Sequence, residues 1–97
     1  DFVENMVTIS NKYNNLVLNI GGSNQYSIKY FAKIICKYVN FDFKKIIFDR
    51  SKYVGAKSKK LSIKEILKIK PNYKKNLTNI KEGLFEMVKW HENSKNF

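Results

Sequence analysis

The sequence is short of several things, and each shortage removes a class of explanation. A single cysteine, Cys36, allows no disulfide and no cysteine metal site within the chain. It sits at the edge of an apolar helical stripe, where a free cysteine is ordinarily buried as a small hydrophobe. The one histidine, His91, supplies no metal-binding pair and reads as a structural group near a helix end. Carboxylates are few and scattered, and none forms an obvious acid–base pair. No apolar run approaches the ~18 residues of a membrane span, and no signal peptide is visible. The expectation is a cytoplasmic protein with no membrane partner. Arginine is nearly missing: Arg50 stands alone against eighteen lysines, and alanine occurs only at positions 32 and 56.

What is present is a chain of 97 residues with a net charge of +11 and 43% apolar residues. That length makes one small domain burying roughly 60–65% of its unfolded surface. The apolar content is enough for a core and excludes wholesale disorder. The charge invites a nucleic-acid reading. Yet a dedicated nucleic-acid reader favours arginine for bidentate contacts. Lysine, asparagine, isoleucine, tyrosine and phenylalanine share A- and T-rich codons, which accounts for much of the lysine. Composition therefore argues against nucleic acid as the partner.

The stretch Leu16 to Asn40 organises the rest. Leu16–Ile20 is an apolar run the length of a buried strand, broken by Gly21 and Gly22. Ser27 is placed to cap a helix. Ile28, Phe31, Ala32, Ile35, Tyr38 and Val39 then keep one helical face. A second strand is predicted at Lys45–Asp49. Strand, helix and strand of this size predict an α/β fold, a βαβ unit with a parallel strand pair and flanking helices.

Ahead of it, Phe2, Met6, Ile9 and Tyr13, with Val3 and Val7 beside them, predict a helix from Asp1 to about Lys12. The pattern starts at once and the first residue is not methionine, so the expectation is a piece of a longer protein. Arg50–Lys60 has no helical or strand period and carries Arg50, Lys52, Lys57, Lys59 and Lys60 around Gly55. Ile63, Ile66 and Leu67 predict a short helix capped by Ser62 with Glu65 in a capping box, ended by Pro71. Asn72–Asn76 reads as a polar connection. Asn79 and Glu82 mark the last helix, with Ile80, Leu84, Met87, Val88 and His91 on one face. Phe85, Trp90 and Tyr38 are expected in the core. No linker or repeat separates these parts, which predicts one unit over 1–97.

Several motifs carry chemistry elsewhere. Gly21-Gly22 lies between a predicted strand and helix, but the dinucleotide fingerprint G-x-G-x-x-G is not completed, so a packing turn is expected. Tyr53-x-x-x-Lys57 has the spacing of a catalytic pair that needs a helix to join it. Here Gly55 intervenes in a loop, and no catalytic role is expected. Lys52, Lys57, Lys59 and Lys60 differ: clustered ammonium groups in a glycine-containing loop after a strand end suit a phosphate or diphosphate. The competing reading is a solvated basic loop.

Taken in order, these segments resemble the C-terminal part of the extended short-chain dehydrogenases acting on nucleotide sugars. GDP-fucose synthases and related NAD(P)-dependent epimerases are the nearest pattern. Asn19-Ile-Gly-Gly-Ser23 resembles the family's "N-x-G-s-G" strand end, and Ile47-Phe48-Asp49-Arg-Ser-Lys52 its "vvfDxSK". Gly55-Ala-Lys-Ser-Lys59 stands where it carries "GTPRK". Asn79-Ile-Lys-Glu-Gly-Leu84 with Trp90 is similar to its "SLeeGl…yrW". The resemblance implies a substrate-binding C-terminal subdomain over 1–97, whose partner is a nucleotide-diphosphate sugar. Lys59, Lys57, Lys52 and Gly55 would form the substrate-binding loop, with Lys59 on the diphosphate. It implies an NAD(P)-binding Rossmann domain upstream in the same chain, no cofactor bound by this part, no catalytic residue in it, and a full-length homodimer. Val54, Lys57 and Ser58 replace the family's acidic residue, proline and arginine. The choice between an epimerase and a reductase stays open. The alternative from another class is a small basic module binding RNA or an acidic partner.

Overall fold

The computed structural model describes residues 1–94. Four α-helices carry the fold: α1 (Phe2–Lys12), α2 (Ile28–Tyr38), α3 (Lys64–Ile69) and α4 (Ile80–Asn93). Short 3-10 turns lie at Phe43–Lys45 and Tyr73–Asn76. The chain divides into two compact units: Asp1–Gln25 with Ser58–Thr78, and Tyr26–Lys57 with Asn79 onward.

The α/β expectation is overturned. Among the described residues there is no strand, and so no parallel pair and no βαβ unit. Residues 16–20 are nevertheless extended in one respect. Leu18 and Ile20 are partly buried against the core while Val17 is 94% exposed, a period of two. A strand also needs a neighbour to exchange backbone bonds with, and this segment is held by side chains instead. Asn19 Nδ2 donates to the Ser62 carbonyl at 3.0 Å. At the other expected strand, Asp42 accepts from the Lys44 N–H at 3.0 Å and starts the 3-10 turn that takes in Lys45. Beyond it Ile47 is 90% exposed, while Ile46 is partly buried and the Phe48 ring packs against Phe43 at 6.1 Å, so the apolar side of this stretch is used locally and not in a sheet. The two segments also belong to different units.

In the first unit, Ile9, Ile63, Ile66 and Tyr73 form the core, with Tyr13, Leu18, Ile20, Leu67, Ile69 and Leu77 packed on it. Helix α1 lies where expected but is rotated. Its buried positions are Asn5 and Ile9, while Phe2, Val3, Met6 and Val7 stay exposed. The rotation follows from polar bonds: Lys70 Nζ donates to Asn5 Oδ1 at 2.6 Å, and Asn5 Nδ2 donates to the Asp1 carbonyl at 2.8 Å. The Asp1 carboxylate accepts from the Thr78 N–H and hydroxyl, at 2.6 and 2.8 Å, and so does not cap its own helix. Ser62 does not cap α3 either. The cap position is Ile63 and makes no side-chain bond, while Glu65 pairs with Lys68 at 2.9 Å. Lys70 closes the helix just before Pro71, which cannot continue it.

In the second unit α2 packs on α4, and the Phe43–Lys45 turn packs on α2. Ser27 Oγ accepts from the Tyr30 N–H at 3.0 Å and Asn79 Oδ1 from the Lys81 N–H at 2.9 Å, the two caps the sequence marks. Asn40 takes a left-handed φ of 53° just past α2, and the Phe41 N–H reaches back to the Cys36 carbonyl at 2.8 Å. That is a Schellman ending, for which asparagine is the usual substitute for glycine. Cys36, Leu84 and Val88 are the buried residues of this unit. Phe85 and Trp90 are not core, being largely exposed; Tyr38 is half-buried, its ring edge-on to Phe85 at 5.4 Å.

Candidate anion-binding site

The lysine-bearing segment begins with a local turn. Asp49 Oδ1 accepts from the Ser51 N–H at 2.9 Å and from the Ser51 hydroxyl at 2.6 Å. An aspartate that bonds backbone two residues on makes an Asx turn, which is what the Asp-x-Ser spacing does here. The Ser51 hydroxyl first, and its N–H second, hold the Asp49 carboxyl below the ordinary aspartate value. The depressed value fixes the sign. The turn is favoured at every pH above the ordinary carboxylate range and is released as pH falls through the lowered value. Ser51→Ala is therefore expected to raise the Asp49 pKa toward the ordinary value. Titration of the Asp49 carboxyl carbon by NMR checks it, and an unmoved midpoint in the variant would remove the Ser51 bonds as the cause.

From Arg50 to Lys60 every residue is exposed and none lies in a helix or strand. Tyr53 is 96% exposed, and no helix runs through 53–57 to set it one turn from Lys57 as proton-transfer chemistry would require. A Cβ at Gly55 would meet nothing within 4 Å, so no part of the chain presses on its backbone. Lys52, Gly55 and Lys57 belong to the second unit and Lys59 to the first. The four predicted site residues are thus shared between units. Neighbouring Lys59, Ser58 is tied down by Gln25 Nε2, which donates to its hydroxyl at 2.6 Å.

One residue on from Lys59, Lys60 lines an open groove of about 380 Å³ in the same unit. Leu61, Ile63 and Leu67 give it apolar lining, Ser23 and Ser62 hydroxyls, and Lys60, Lys64 and Lys74 ammonium groups. None of these three lysines, nor Lys59, makes an ion pair among the described residues. Lysine ammonium groups act on phosphate as point charges, and an apolar lining suits the face of a ring. Sequence reading missed Ser23, Lys64 and Lys74. They fall among a turn, a helix start and a polar connection, and only Lys64 had a signal, its place at the head of a predicted helix.

Gly21 is no phosphate cradle. Its N–H donates to the Tyr73 hydroxyl at 2.9 Å, and that hydroxyl donates back to the Gly21 carbonyl at 2.9 Å. A Cβ at position 21 would stand 2.7 Å from Leu61 Cδ2, so the glycine serves close packing. With the Gly21 N–H taken, and with no glycine after Gly22 to complete G-x-G-x-x-G, this turn does not fit the pyrophosphate of NAD(P). No group of three or more His, Cys, Asp or Glu side chains that could hold a metal ion occurs among the described residues. No described helix is long and apolar enough to cross a membrane. The groove lining offers ammonium and hydroxyl groups and no carboxylate. Compared with protein-family models, curated proteins and solved structures, the chain matches none.

Proposed function

We propose that the chain is the nucleotide-sugar-binding part of a cytoplasmic NAD(P)-dependent epimerase or reductase, and that its task is to hold the nucleotide's diphosphate. The observation that carries the reading is Lys59, exposed and without an ion pair, one residue before Lys60, which with Lys64 and Lys74 lines an open groove. It stands at the position of the family's diphosphate lysine in a series of motifs that keep their order along the chain. The cofactor and the chemistry belong to a Rossmann domain elsewhere in the full protein, which works as a homodimer. In this division the diphosphate is bound alike in ground and transition states, so the lysines act on affinity and not on the chemical step.

The experiment is a calorimetric titration of the chain with a nucleoside diphosphate. Binding is expected, and Lys59→Ala is expected to weaken it roughly ten- to hundredfold, the loss of one charge-assisted hydrogen bond. Lys57→Ala and Lys52→Ala should have smaller effects that shrink as salt is added, since exposed charges are screened. NADPH should show no saturable binding. Unchanged diphosphate affinity in folded Lys59→Ala, or saturable NADPH binding, overturns the assignment.

A further inference from the structure

The second unit carries a different surface, which the nucleotide reading does not use. Helix α2 has lysines at positions 29, 33 and 37 and no acidic residue. Spacing of four places them on one stripe, about 6 Å apart along the axis. Lys33 and Lys37, with Tyr30 and Ile34, line a groove of about 290 Å³ that Tyr38 and Lys81 close. Tyr38 fixes that edge by donating its hydroxyl to the Lys81 carbonyl at 3.1 Å. The same two residues border a second groove of about 280 Å³, whose other lining is Glu82, Phe85 and Glu86. Charge thus changes across the Tyr38–Lys81 edge, from lysines alone on one side to a mixed lining on the other, where Glu82 and Glu86 accompany the Phe85 ring and Lys89 Nζ stands 5.6 Å from that ring's centroid.

We infer that this pair of grooves docks a peptide segment of a partner protein, one in which a short acidic run is followed by apolar residues. The acidic run lies along Lys33 and Lys37, and the apolar residues lie on Phe85. Charge complementarity decides the occupant. A uniform polyanion such as RNA would gain at the lysines and be repelled at Glu82 and Glu86 as it continued. A peptide can end its charge after a few residues. Lysine point charges also suit mobile carboxylates, which demand no planar bidentate geometry.

The test uses a synthetic peptide of glutamates followed by leucine and phenylalanine, with poly(U) as the competing polyanion. Three forms of the chain are compared by fluorescence anisotropy: the parent, Lys33→Glu/Lys37→Glu, and Lys12→Glu/Lys75→Glu. The last reverses the same amount of charge on the other unit. Peptide binding is expected to weaken about tenfold or more in the first double variant, since two attractive exposed pairs become repulsive. It should change little in the second. Equal weakening in both variants would mean bulk charge alone and overturns the site. So does the absence of peptide binding in the parent, or tighter binding of poly(U) than of the peptide. Circular dichroism of each variant confirms that the helices persist.

Discussion

Ile66→Ala is expected to destabilise the first unit by about 2–5 kcal/mol, the usual cost of emptying a fully buried aliphatic site. Ile66 is 0% exposed and stands among Ile9, Ile63 and Tyr73. It sits on α3, which has six residues and so is far too short to be stable by itself. No side chain caps that helix, so burial of Ile63 and Ile66 is what keeps it wound. Whole domains are stable by only about 5–15 kcal/mol, and the loss is a large share of that. In urea denaturation followed by circular dichroism, the midpoint should fall while the slope stays the same. An unmoved midpoint would mean that the core of this unit lies elsewhere.

Tyr73→Phe isolates the polar part of the same core. The ring stays and packs, but the hydroxyl that serves both the N–H and the carbonyl of Gly21 is gone. What is left unpaired is the N–H and carbonyl of Gly21, which is half-buried and keeps part of its access to water. The expected cost is about 1–3 kcal/mol. Amide exchange at Gly21 should accelerate by more than the global change in stability accounts for. If Gly21 exchanges no faster than its neighbours, the bond does not hold that turn in solution.

These two residues also show where sequence reading succeeds and where it stops. Helix starts were legible at Ser27 and Asn79, because a cap is a local bond made within three residues. The existence of α1, α2 and α4 followed from apolar spacing for the same reason. Tyr73 was hidden in a run of lysine and asparagine. What buries it is a 3-10 turn after Pro71 and a partner 52 positions away, and neither leaves a trace in local periodicity. The apolar run at 16–20 looked like a strand because an extended segment held by side chains has the same composition as one held by a ladder, and the run at 45–49 hid a 3-10 turn started by the Asp42 side chain. In the candidate site, the exposed lysine loop could be read from its lack of period. The groove beside it could not, since Ser23, Lys64 and Lys74 come from three separate segments.

The first unit is assembled from residues 1–25 and 58–78, and its outermost clasp joins Asp1 to Thr78, 77 positions apart. On a ribosome this makes its completion a matter of waiting. Ile9, Leu18 and Ile20 are synthesised early, but Ile63, Ile66 and Tyr73 reach them only after the first half of the other unit has emerged. At ordinary translation rates the 53 residues between positions 25 and 78 take roughly 3–10 s to add. During that interval the early apolar residues have no core to enter and are open to chaperones. A premature stop after position 60 would leave them so permanently, which makes truncated products of this chain targets for degradation even when the loop of lysines is intact.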